Sequence, residues 1–161
     1  LDLLKDRRVL VVDDEPDILE TIEEMLDMCI LDTAAGFEEA RKLLEKNSYD
    51  AAVLDIMGVS GYDILKLTHA KEIISVMLTA HALTPENLKE SIEKGADAYI
   101  PKEELANLDM HLSEVIRTRL KGSNDGSWFS TLKPIFDKTF GAGWRDRDRP
   151  FWNSFDDRYG K

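Results

Sequence analysis

The run RRVLVVDDEPD, Arg7 to Asp17, sets Asp13, Asp14 and Glu15 side by side at the end of the apolar stretch Val9–Val12. Other polar residues close comparable stretches. Asp55 ends DAAVLD, Thr79 lies near the end of IISVMLTA, and Lys102 follows DAYI after one proline. Carboxylates from two places, a hydroxyl and an ammonium form a set able to hold and transfer a phosphoryl group. Three unpaired carboxylates within a few ångströms repel by roughly 1–4 kcal/mol per pair at surface-like dielectric. A small divalent cation removes that cost, and oxygen donors without a neighbouring His or Cys favour magnesium over zinc. In such a site Asp55 is the nucleophile, Lys102 and the metal neutralise developing charge, and Thr79 hydrogen-bonds a phosphoryl oxygen. Singly, each residue has a plainer reading. Asp13 or Asp14 before Pro16 suits a helix N-cap, Asp55 a turn, Thr79 a strand-end hydroxyl, and Lys102 and His81 the surface. The joint pattern favours the site.

These residues converge only if the apolar runs are neighbouring strands. Val9–Val12, Ile30–Thr33, Asp50–Asp55, Ile73–Ala80 and Asp97–Ile100 read as strands. Between them, apolar residues recur at helical spacing: Ile18 through Cys29, Phe37 through Lys46, and a helix beginning near Tyr62. Thr84 and Pro85 open a fourth helix that Gly95 closes as a C-cap glycine, and a fifth follows the last strand through about Leu120. Strictly alternating strands and helices predict an α/β fold, a doubly wound parallel sheet with helices on both faces. Near-continuous apolar strands suit a sheet buried on both sides. Ligands of such sheets bind beyond the carboxyl ends of the strands, where the acids, Thr79 and Lys102 fall.

The 161 residues carry a net charge of -11, which argues against a nucleic-acid-binding surface over most of the molecule. Residues 1–122 hold 26 acids and 14 bases, while residues 123–161 hold 6 acids and 7 bases. Nine of the 13 aromatics, including all three Trp, lie in that last segment. The glycine- and serine-bearing stretch KGSNDGS, Lys121 to Ser127, marks the join. An acidic domain over 1–122 and an aromatic extension over 123–161 are expected. The single cysteine, Cys29, sits in an apolar helical pattern and reads as a buried, reduced thiol of a cytoplasmic protein. No apolar run approaches the ~18 residues of a membrane span, and no signal-peptide core is present in the sequence.

Taken together, VLVVDDEPD, AAVLDIM, VMLTAHA and DAYIPK resemble the receiver domain of two-component response regulators over roughly residues 5–120. The resemblance implies a flavodoxin-like sheet of order 2-1-3-4-5 and phosphoryl transfer to Asp55 from a histidine kinase or phosphotransfer protein. It implies Mg²⁺ held by Asp14, Asp55 and the Met57 backbone carbonyl, with Asp13 acting through water. Thr79 and Lys102 would sense the phosphoryl group. Tyr99 matches a ring whose rotation reports activation on the face of helix four, strand five and helix five. Met57 and His81 match positions that tune acyl-phosphate hydrolysis. Two departures stand out: Pro101 precedes Lys102, where the family commonly has a proline after the lysine, and DIMGVSGYD lacks the usual proline.

The extension is short for a helix-turn-helix domain and nearly neutral, so DNA binding is not expected. Trp128, Phe129, Leu132, Ile135, Phe136 and Phe140 fall at helical spacing, and Phe151, Trp152, Phe155 and Tyr159 repeat the pattern. Rings of this size are not left bare on a soluble monomer. Either they pack on their own receiver or a second copy, or they anchor a downstream protein, or they lie on a membrane surface; modest basic content disfavours the last. The function expected is a non-enzymatic signalling receiver acting through protein contacts, with a homodimer as one form. A pseudo-receiver acting as a constitutive interaction module is the alternative, supported by the Pro101-Lys102 order. An aspartyl phosphohydrolase of the haloacid-dehalogenase type would place D-x-D after the first strand, where this chain has Asp13-Asp14-Glu15.

Overall fold

The structure is a computed structural model that describes residues 2–55, 61–79, 84–122 and 127–159. Five strands form one sheet: β1 (Arg8–Val12), β2 (Ile30–Ala34), β3 (Ala51–Asp55), β4 (Ile74–Thr79) and β5 (Ala98–Pro101). All pairings are parallel and the order is β2-β1-β3-β4-β5, as the resemblance implied. The helices are α1 (Pro16–Met25), α2 (Phe37–Lys46), α3 (Gly61–Ala70), α4 (Pro85–Glu93) and α5 (Leu108–Leu120), then α6 (Ser127–Phe140) and α7 (Arg149–Tyr159). Every residue of β3 and β4 is buried, which is why these runs are almost wholly apolar. The edge strand β2 is more exposed, with Ile30 open to solvent.

Local chemistry sets the ends of α4. The Thr84 hydroxyl accepts a hydrogen bond from the Asn87 N–H at 3.1 Å, and Pro85 fills the first turn. At the other end Gly95 has φ +98°, its N–H donates to Ile92 O, and the Ala96 N–H donates to Ser91 O. A Cβ at position 95 would stand 2.3 Å from the His69 ring. Both backbone and packing require glycine there.

Three sequence expectations need correction. The first helix stops at Met25 instead of reaching Cys29, because the chain turns after the Leu26 cap and Cys29 N–H donates to Leu26 O. Cys29 is consequently half-buried, not buried, with its Sγ 3.3 Å from Leu4 O. It remains a free thiol whose pKa is pushed up to about 11 by burial and by the charges of Asp27 and Asp50. After β5 the chain does not enter α5 directly; a 3-10 helix, Lys102–Asn107, comes first.

The extension packs on its own receiver. Helix α6 lies against α5 and β5, and its rings Trp128, Phe129 and Phe136 are buried with the sheet core. A 3-10 helix (Trp144–Asp148) and α7 close over α6. Phe129 is the hub, 5.7 Å from Phe136, 5.6 Å from Trp152 and 5.0 Å from Phe155 between centroids. Such pairs contribute about 0.5–1.5 kcal/mol each beyond area burial. On α4, Lys89 pairs with Asp148 and stands 5.4 Å over the Phe151 ring. Among the described residues no helix is long and apolar enough to cross a membrane.

Candidate functional site

Strand register builds the site. Val12 pairs with Leu54, and Asp55 with Leu78, so β1, β3 and β4 end at nearly one level. Asp13 continues β1, its N–H donating to Ala34 O at 3.1 Å. Asp55 and Thr79 are the last residues of β3 and β4. Thr79 pairs with Pro101, which delivers Lys102 to the same edge at the start of its 3-10 helix. Parallel strands terminating together are what bring residues 23 to 89 positions apart into one crevice.

Lys102 is the centre of charge. Its Nζ lies 3.0 Å from Asp13 Oδ2, 3.0 Å from Glu15 Oε1 and 3.4 Å from Asp55 Oδ1. Asp13 and Asp55 are buried, at 1% and 3% exposure. Buried carboxylates are tolerated only when paired, and the lysine supplies that pairing. Burial alone pulls the Lys102 pKa down most strongly, but hydrogen bonds to Asp13 and Glu15 and the charges of Asp13 and Asp55 outweigh it. The ammonium is held above the ordinary lysine range.

Asp14, by contrast, is exposed. The capping alternative for Asp13 and Asp14 is not what the structure shows. The N-cap of α1 is Glu15, which makes no side-chain cap bond. Asp13 instead accepts the Glu15 N–H on Oδ1 at 2.9 Å, which fixes its carboxylate at the strand end. Asp13, Asp14 and Glu15 each bring an oxygen within 4.8 Å of the others. Asp55 faces this trio across Lys102 and is not one of the three.

These donors fit a hard divalent cation. They are all carboxylate oxygens, and the buried Asp13 Oδ2 has the Lys102 ammonium 3.0 Å away. The Met57 carbonyl, expected as a further ligand, and His81 lie outside the described residues, as does the Tyr159 side chain.

Tyr99 is fully buried. Its phenol hydrogen-bonds the Thr79 side chain and the Thr84 backbone, and burial pushes its pKa above the ordinary tyrosine range. On its other side the ring meets Phe136 of α6, edge to face, at 6.1 Å and 68°. Two contacts are not legible in the sequence: Glu15 holding Lys102, and Phe136 seated on Tyr99. Position alone gave a signal for the first, since Glu15 is two residues from Asp13 in the same acidic run. Nothing local signals the second.

Comparison with known proteins agrees with this geometry. Residues 9–112 match the response regulator receiver domain family. The heme response regulator HssR of Staphylococcus aureus (strain Newman) is 36% identical over 121 residues, covering 71% of this chain and 54% of HssR. The chain thus spans about half the length of the curated relatives it matches. Among solved structures, a CheY-like response regulator receiver domain protein from Methanospirillum hungatei JF-1 is 26% identical with a TM-score of 0.66, over 74% of this chain and 100% of that one. The BeF3-activated receiver domain of DrrB, a Thermotoga maritima protein, is 27% identical with a TM-score of 0.57, over 68% and 98%. With the sheet order, the acidic strand ends and the paired lysine all in place, the chain belongs to the response regulator receiver domains of two-component signalling.

Proposed function

We propose that Asp55 accepts a phosphoryl group from a histidine kinase or phosphotransfer protein, and that the change alters protein contacts of this chain. One observation carries the reading: a single charged lysine lies within 3.4 Å of Asp55 and 3.0 Å of Asp13, two buried carboxylates at the ends of adjacent strands. A buried carboxylate beside a fixed cation is poised to attack phosphorus, because the cation offsets charge that builds on the transferring oxygens. An Asp55 oxygen forms the new bond to phosphorus as the P–N bond of the donor phosphohistidine breaks, and the imidazole nitrogen keeps the electron pair. Lys102 stands beside the acceptor throughout, and Thr79 donates a hydrogen bond to a phosphoryl oxygen.

Asp13, Asp14 and Asp55 would hold Mg²⁺, with Glu15 adjacent. When bound, the ion neutralises the acids and the incoming phosphoryl charge. The chain is the acceptor in this reaction and not a turnover catalyst. Two features support a receiver of this kind: the family and the acidic crevice. Incubating the protein with acetyl phosphate and Mg²⁺ should add one phosphoryl group by intact mass. Asp55→Asn should add none, and equal incorporation in that variant would refute the assignment.

A further inference from the structure

Glu15 meets the site with both its backbone and its side chain. The backbone N–H donates to Asp13 Oδ1 at 2.9 Å, and the carboxylate Oε1 lies 3.0 Å from Lys102 Nζ. The first contact needs no side chain, so the carboxylate can leave without disturbing Asp13. Although Glu15 is the N-cap of α1, its side chain makes no cap bond that would tie it down. That side chain is 56% exposed, against 1% for Asp13. The Lys102 ammonium has three N–H donors and three acids around it. It stands nearer to Asp13 and Glu15, at 3.0 Å each, than to Asp55 at 3.4 Å. Two contacts beyond the end of β1 draw it off the acceptor.

A phosphoryl group on Asp55 reverses that balance. It brings up to about two negative charges, and the ammonium must shift toward them at the expense of a contact on the other side. Asp13 is a poor contact to give up, because a buried carboxylate stripped of its cation is strongly destabilising. Glu15 gives way easily. Water rehydrates an exposed carboxylate, and pairs of that kind are weak.

We propose that Glu15 is a positioning residue that holds Lys102 toward the end of β1 while Asp55 is unmodified and releases it to the phosphoryl group afterwards. The proposal rests on the phosphoacceptor reading above. Glu15 thereby sets a small threshold against loading, and a chain without its charge takes up a phosphoryl group more readily.

Beryllofluoride, a phosphoryl mimic, tests this on the full chain, with Mg²⁺ raised to saturation for each variant. Fluorine NMR reads the concentration at half-saturation. Glu15→Gln keeps the side-chain length and the backbone N–H and removes the charge. It should lower that concentration about two- to fivefold, the range of an exposed ion pair. Asp17→Asn removes the same charge from the first turn of α1 and leaves the three Lys102 contacts in place, so the concentration should not change. Equal or weaker binding by Glu15→Gln overturns the proposal and leaves the acceptor reading standing. A matching gain in Asp17→Asn does the same, because general repulsion then explains both variants. No bound signal in the unsubstituted protein sinks the acceptor reading and the role of Glu15 with it.

Discussion

The acidic edge of the sheet and the aromatic extension meet at Tyr99 but are held together by different forces. At the edge, Lys102 stands within 3.4 Å of Asp13, Glu15 and Asp55, and two of the three acids are buried. Its cohesion is a balance of charges, so adding a phosphoryl group or a cation changes it strongly. In the extension, Phe129, Phe136, Trp144, Trp152 and Phe155 pack ring on ring with little exposure. Its cohesion is apolar burial, which answers to shape and hardly at all to ionic strength. The contrast separates a region ordered by charge from a region ordered by shape. Tyr99 belongs to both, with a phenol toward the first and a ring face toward the second.

Three substitutions probe that division. The largest stability effect should come from Phe136→Ala, which empties a fully buried site and should cost about 3–5 kcal/mol. Urea unfolding followed by Trp fluorescence reads it, since all three Trp lie in the extension. The loss should be the same at low salt and in 1 M NaCl; a strongly salt-dependent loss would mean that charge, not ring packing, holds the extension. Gly95→Ala strikes the turn between α4 and β5, the two elements that carry Lys89 and Tyr99. With φ at +98° and the His69 ring 2.3 Å from the new Cβ, it should cost about 2 kcal/mol in the same assay. An unchanged midpoint would show that His69 and the backbone relax freely. Lys89→Ala should have the smallest effect, because its pairing with Asp148 is solvent-accessible. Any shift in midpoint should vanish in 1 M salt, where screening acts within ~3 Å.

Much of the receiver could be read directly because its signals are local. A parallel sheet covered on both faces demands unbroken apolar runs, and β3 and β4 have them. The residues that end those runs, Asp55 and Thr79, were legible for the same reason. Strand order came from the resemblance, since periodicity says nothing about which strand is whose neighbour. Asp13, Asp14 and Glu15 are alike in sequence, and only the start of α1 separates their roles: Asp13 turned inward, Asp14 toward solvent, Glu15 onto Lys102. In the extension, helical spacing shows which side of α6 is apolar. It does not show what covers that side, because Phe136 meets Tyr99 from 37 positions away and Asp148 meets Lys89 from 59. The early end of α1 is not legible in the sequence because Leu26 and Cys29 keep the apolar spacing while the backbone has already turned.

The most direct test of the whole account locates the acyl phosphate chemically. The full chain is phosphorylated with acetyl phosphate and Mg²⁺, reduced with borotritide, digested, and sequenced by mass spectrometry. Tritium should sit at position 55 alone, the carboxylate that faces Lys102 from the end of β3. Label at Asp13 or Asp14 instead, or protein left unlabelled although another receiver domain is labelled under the same conditions, would contradict it.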